Sequence, residues 1–148
     1  MRHGCIQKNG LMWGFQLWAN LSASHKMMDP RYQDIRSDQI PEIALDTGAK
    51  VRIICGKVNS LKGPVQDIVI DPEYLDIAVP SKSNFTHTVK RGHTVFAYVI
   101  EGEGYFDQGR DSYVSEVEGA DSSDLKGDGL IGSENLIIFH DGDEVAIS

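Results

Sequence analysis

Between Met12 and Leu21 the chain alternates. Phe15, Leu17, Ala19 and Leu21 fall on one face at a period of two, and Gln16, Trp18 and Asn20 on the other. The pattern predicts a strand, and the Trp on its second face predicts that both faces are covered. Ser24 to Tyr32 is polar, contains Asp29-Pro30 and predicts a loop. Ser37 to Ile40 predicts one helical turn, capped by Ser37 and ended by Pro41. No stretch has the period of a long amphipathic helix.

From Lys50 the strand pattern becomes dense. Val51 to Cys55 predicts a strand that ends at Gly56, and Val65 to Ile70 another, stopped by Asp71-Pro72. Tyr74 to Val79 follows, closed by Pro80. Thr94 to Ile100 is rich in β-branched and aromatic residues and predicts a further strand. Glu101-Gly102-Glu103-Gly104 then turns into Tyr105 and Phe106. Gln108 to Gly132 is acidic and rich in Gly and Ser, which predicts a long exposed loop. Leu136 to Phe139 and Glu144 to Ile147 predict short strands, with Asp141-Gly142 as a hairpin turn between them. Many short strands with Gly and Pro punctuation point to an antiparallel barrel or sandwich. No internal repeat is present.

Composition narrows the function classes. The chain has 148 residues, 41% of them hydrophobic, which suits one globular domain. Its formal net charge is −8 and no stretch is strongly basic, which opposes direct binding to nucleic acid or to an anionic membrane. No apolar run approaches the roughly 20 residues of a membrane helix, and Met1 to Gly10 lacks the apolar centre of a signal peptide. These features predict a cytoplasmic protein, or a nuclear one in a eukaryote. Cys5 and Cys55 are far apart and outside any CxxC spacing, so two free thiols are expected. Asn20-Leu21-Ser22 and Asn84-Phe85-Thr86 fit the glycosylation pattern but are read as chance matches.

Candidate chemistry is sparse. In a β-barrel a metal is commonly held by His-x-His, because residues i and i+2 share a strand face. The histidines are His3, His25, His87, His93 and His140, and none has another His or a Glu two positions later. His87 and His93 share parity, yet in one straight strand they would stand roughly 20 Å apart. Lys90-Arg91-Gly92 offers a turn that would bring them closer. His140-Asp141-Gly142-Asp143-Glu144 is rich in ligand types, but a hairpin accounts for its Asp and Gly without a metal. Asp121, Asp124 and Asp128 are read as residues that solvate the loop. Gly127-Asp128-Gly129-Leu130-Ile131-Gly132 matches GxGxxG in letters only, since no helix pattern follows it and the chain ends before an acidic residue about 20 positions on. Cys55 lies in an apolar run and reads as a small core residue. No Ser occupies a GxSxG elbow. Glu101 and Glu103 form a pair that a polar turn explains equally well. Trp13, Phe15, Trp18 and Tyr98 are read as core aromatics rather than the lining of a ligand cavity.

Met12-Trp13-Gly14-Phe15-Gln16-Leu17-Trp18-Ala19-Asn20-Leu21, followed by Pro30-Arg31-Tyr32-Gln33-Asp34-Ile35, closely resembles the pirin family. Ile40-Pro41, Val51-Arg52-Ile53-Ile54-Cys55-Gly56, Gly63-Pro64-Val65, Tyr74-Leu75-Asp76 and Thr94 to Gly102 follow in the order that family shows. The resemblance is strong from Leu11 to about Phe106, weakens through the acidic stretch and returns at Asp141-Gly142-Asp143.

The resemblance implies a mostly β chain with a cupin-type antiparallel β-barrel of the jelly-roll kind, incomplete relative to the two-barrel family architecture. Residues 1–45 would form the end of the first barrel, and residues 46–148 a second barrel truncated at its end. The family's first barrel carries iron on a His-x-His pair and a later His-x-Glu. Family members are associated with quercetin 2,3-dioxygenase activity and with iron-dependent transcriptional co-regulation through protein partners. This sequence has no His-x-His, and near the place of the His-x-Glu it has only His3-Gly4-Cys5. The expectation is therefore no catalytic, cofactor-binding or metal-ligating residue in this chain, and no resident cofactor. The expected role is a non-catalytic structural or protein-interaction half, with self-association into a homodimer. The alternatives are a metal-dependent quercetin 2,3-dioxygenase-type enzyme and a small-molecule-binding cupin. The enzyme would assemble ligands from His87, His93 or His140, or from a second chain.

Overall fold

The structure, a computed structural model, describes residues 6–8, 11–106, 113–114 and 129–148. Among them it is mostly β. The helical content is two single turns of 3-10 helix, Ala23–His25 and Ser37–Gln39. All strand pairs are antiparallel, and one isolated parallel bridge joins Cys55 to Val65. The chain forms two compact units, residues 1–45 with 50–78, and residues 46–49 with 79–148.

In the first unit, β1 (Ile6–Lys8) and β2 (Leu11–Trp13) form a short hairpin. The main sheet runs β3 (Glu42–Ala44), β4 (Lys50–Cys55), then β7 (Tyr74–Ala78), with β4 in the centre. The predicted Val51 to Cys55 run sits there because it can be buried on both faces. Val51 and Ile53 are completely buried, and Ile54 and Cys55 nearly so. Burial of each large side chain stabilises by about 1.5–3 kcal/mol. A register shift between Ile53 and Cys55 ends regular pairing. Ile54, Cys55 and Val65 then pack with Ile35, Ile40, Ile68 and Tyr74. Gly56, at φ +95°, turns the chain into the hairpin of β5 (Lys57–Val58) and β6 (Leu61–Lys62), with Asn59 left-handed at φ +53°. Asn-Ser is a weaker turn signal than Asn-Gly, so the pattern does not mark this hairpin.

The second unit is built on a bent two-stranded ribbon. β8 (Phe85–Thr88) pairs with β14 (Glu144–Ile147), and β9 (Phe96–Tyr98) pairs with β13 (Leu136–Ile138). Farther along, β10 (Glu103–Gly104) pairs with β12 (Ile131–Gly132), and β11 (Tyr113–Val114) lies on the far side of β13. Between the first two pairings the Val89 N–H donates to the Asp143 carbonyl and the Phe139 N–H to the Val95 carbonyl. Five residues, 90–94, therefore face three, 140–142. The surplus bulges out and bends the ribbon, the usual way a strand passes from one sheet to another. The core of this unit is Phe106, Ile131 and Ile137, packed with Ala97, Val99, Phe139 and Ile147.

Several expectations need correction. Residues 14–21 are not a strand, and among the described residues no ladder includes them. Alternation sets which face a side chain takes, but a strand also needs a neighbouring backbone. Nor are both faces covered: Phe15 is 40% exposed, Leu17 52% and Trp18 87%. Of Val65 to Ile70 only Val65 makes a bridge. The rest turns, with Asp67 and Asp71 in the left-handed region at φ +57° and +47°, which Asp tolerates better than most residues. The helical turn begins one residue early: Ser37 is inside it and Arg36 holds the cap position, where its N–H donates to the Gln39 Oε1 at 2.8 Å. Thr94 to Ile100 shortens at both ends to Phe96–Tyr98, and the bend occupies its start. Asp141-Gly142 is not a hairpin turn, since β13 and β14 pair with different strands. Within the predicted loop Gln108 to Gly132, Tyr113–Val114 and Ile131–Gly132 are strands. Residues 107–112 and 115–128 lie outside the described residues.

Candidate functional site

The ribbon's bend gathers polar groups. The predicted turn at Lys90-Arg91-Gly92 forms, with the His93 N–H donating to the Lys90 carbonyl at 3.2 Å. Gly92 has φ +79° and open space around it. Its N–H donates to the Asp141 Oδ1 at 2.6 Å, and the Arg91 guanidinium donates to the Asp143 Oδ2 at 2.9 Å. Asp141 and Asp143 thus serve as acceptors for the neighbouring turn. The hydrogen bond and charge of Asp143, with a further contribution from Asp141, raise the pKa of Arg91. The Arg91–Asp143 pair is well exposed, so its net stabilisation is small.

Three of the candidate histidines belong to this end of the ribbon. His87 is half-buried on β8, its ring stacked on Phe85 with centroids 6.1 Å apart. His93 follows the turn and His140 follows β13, and both are exposed. Among the described residues no three His, Cys, Asp or Glu side chains gather to hold a metal ion. His25 lies elsewhere, on a 3-10 turn, its Nδ1 within 2.9 Å of the Ser22 Oγ and 3.0 Å of the Ser24 Oγ. His3, Cys5, Asp121, Asp124 and Asp128 lie outside the described residues, as does the start of the GxGxxG match.

Cys55 behaves as a core thiol. Its single S–H has two acceptors within reach, the Val65 carbonyl at 3.3 Å and the Pro72 carbonyl at 3.1 Å. Burial pushes its pKa up, Asp71 and Glu73 push in the same direction, and a Gly56 backbone hydrogen bond opposes them. The neutral thiol is held, and that is the unreactive form.

The aromatics give the clearest departure from expectation. Trp18 is almost fully exposed and Tyr98 is 40% exposed, so neither is core. On β9 and the two residues after it, Ala97 and Val99 are inward, while Phe96, Tyr98 and Ile100 point outward. Ile138, opposite Phe96 in the register, is outward too. Both faces of the β9–β13 pair are therefore apolar, and the outer one is partly exposed to solvent. Phe96-Ala97-Tyr98-Val99-Ile100 and Leu136-Ile137-Ile138-Phe139 carry this signal in sequence as unbroken apolar runs, which mark strands covered twice. Glu101 and Glu103 are exposed where the ribbon continues into β10.

No protein-family model matches the chain. A protein of Thermoplasma acidophilum, provisionally named a quercetin 2,3-dioxygenase, is 39% identical over 103 residues, 65% of this chain and 40% of its own. A pirin-like protein of Caulobacter vibrioides is 38% identical over 98 residues, 66% of this chain and 36% of its own. The chain is pirin-like. The pirin-like region spans about two fifths of the length of these relatives. A solved quercetin 2,3-dioxygenase from Acinetobacter baumannii superposes with a TM-score of 0.65 at 21% identity, over 88% of this chain and 39% of that one. At that identity the likeness concerns the fold, and the pirin-like chain has the mostly β, antiparallel cupin fold expected from its sequence. Among its described residues no helix is long and apolar enough to cross a membrane.

Proposed function

We propose that this pirin-like cupin chain is a non-catalytic, structural or protein-interaction half that self-associates. In this reading residues 1–45 are the end of a first barrel, residues 46–148 are a second barrel, and the protein works in the cytosol or nucleus. The observation that carries the reading is the outward apolar face of Phe96, Tyr98, Ile100 and Ile138. Contiguous apolar surface of this kind marks contact with another surface. Exposed Trp18 and Leu17 support it from the other unit.

Donor chemistry supports the non-catalytic part. Iron in the family rests on His-x-His and His-x-Glu, and neither spacing occurs in this sequence. The described residues do not fit that ligand set. The test is metal analysis of the purified chain, with light scattering and quercetin turnover under added Fe²⁺, Cu²⁺ and Ni²⁺. The expected result is a dimer without stoichiometric iron or turnover. Stoichiometric iron lost on replacing His87, His93 or His140 would overturn the non-catalytic reading, and a stable monomer would overturn self-association.

A second reading, a metal-dependent dioxygenase of the quercetin 2,3-dioxygenase type, is favoured by the provisional name of the Thermoplasma relative and by the placement of His93 and His140 in the two facing segments of one bend, 90–94 and 140–142. Metal-dependent turnover in the same assay decides for it.

A further inference from the structure

We draw no further inference here: the strongest candidate, the outward apolar face of the β9–β13 sheet in the second unit, already carries the proposed function, and nothing in the structure shows which surface covers it.

Discussion

Replacing Ile137 with alanine removes a completely buried side chain from the centre of the second unit's core, where it packs beside Phe106 and Ile131. Truncation at such a site costs about 2–5 kcal/mol, the sum of lost transfer energy and the cavity left behind. Ile138 is one residue away, on the opposite face, and is 38% exposed. Its truncation leaves no closed cavity and gives up only part of the ~1.5–3 kcal/mol a fully buried chain provides, so a cost near 1 kcal/mol is expected. Urea unfolding of Ile137→Ala and Ile138→Ala, followed by far-ultraviolet circular dichroism at one protein concentration, measures both. The midpoints should differ while the slopes agree. Equal losses would refute the assignment of the two faces, and with it the outward apolar surface. Ile138→Asp separates the roles further. It should weaken self-association in light scattering while costing the fold far less than Ile137→Asp.

Three other outcomes follow from local geometry. Gly63→Ala should destabilise by about 1–3 kcal/mol in the same unfolding assay, because a Cβ there would meet the Ile54 carbonyl oxygen at 2.6 Å, a backbone contact that cannot rotate away. Asp141→Ala should raise the hydrogen-exchange rate of the Gly92 amide with a global cost below about 1 kcal/mol, since water replaces an exposed acceptor; an unchanged Gly92 rate would dismiss the contact. The raised pKa of Cys55 makes stability depend on alkaline pH. In a Cys5→Ser background, the stability contributed by the neutral thiol is complete below the ordinary thiol value of 9.0 and is lost as pH rises through the higher folded value. Cys55→Ala should flatten that dependence, and a thiol reagent at pH 8 should modify Cys55 only after denaturant is added.

The parts of the fold that were legible are those where local pattern and tertiary partner agree. Val51 to Cys55 reads as a buried strand and is the centre of its sheet. Tyr74–Ala78 and Glu144–Ile147 fall where β-branched residues and flanking Pro or Asp-Gly placed them. Errors arose where the partner was unknown. Asp141-Gly142 has hairpin chemistry, but the Asp141 carboxylate accepts from the Gly92 N–H, 49 positions earlier in the chain. The stretch after Trp13 alternates, apart from Trp18, and still has no ladder among the described residues. The functional reading had a similar limit. Spacing alone detected no ligand set, and only the resemblance indicated what to compare it with. The outward face was visible as two unbroken apolar runs, but which residues would be left uncovered depends on pairing.

The surplus at the ribbon's bend is even, and that governs which changes in length the second unit can absorb. Phe85, Ala97 and Val99 on one strand, and Ile137, Phe139, Val145 and Ile147 on the other, are inward or partly buried and all odd-numbered. Two extra residues on one side of a corner leave that phase intact on both arms. One residue gained or lost between Lys90 and Thr94 would instead invert everything beyond it, sending Phe96, Tyr98 and Ile100 inward in place of Ala97 and Val99. Chain length at this corner is thus quantised in pairs, with Gly92 in its open surroundings the natural place for a pair to enter or leave.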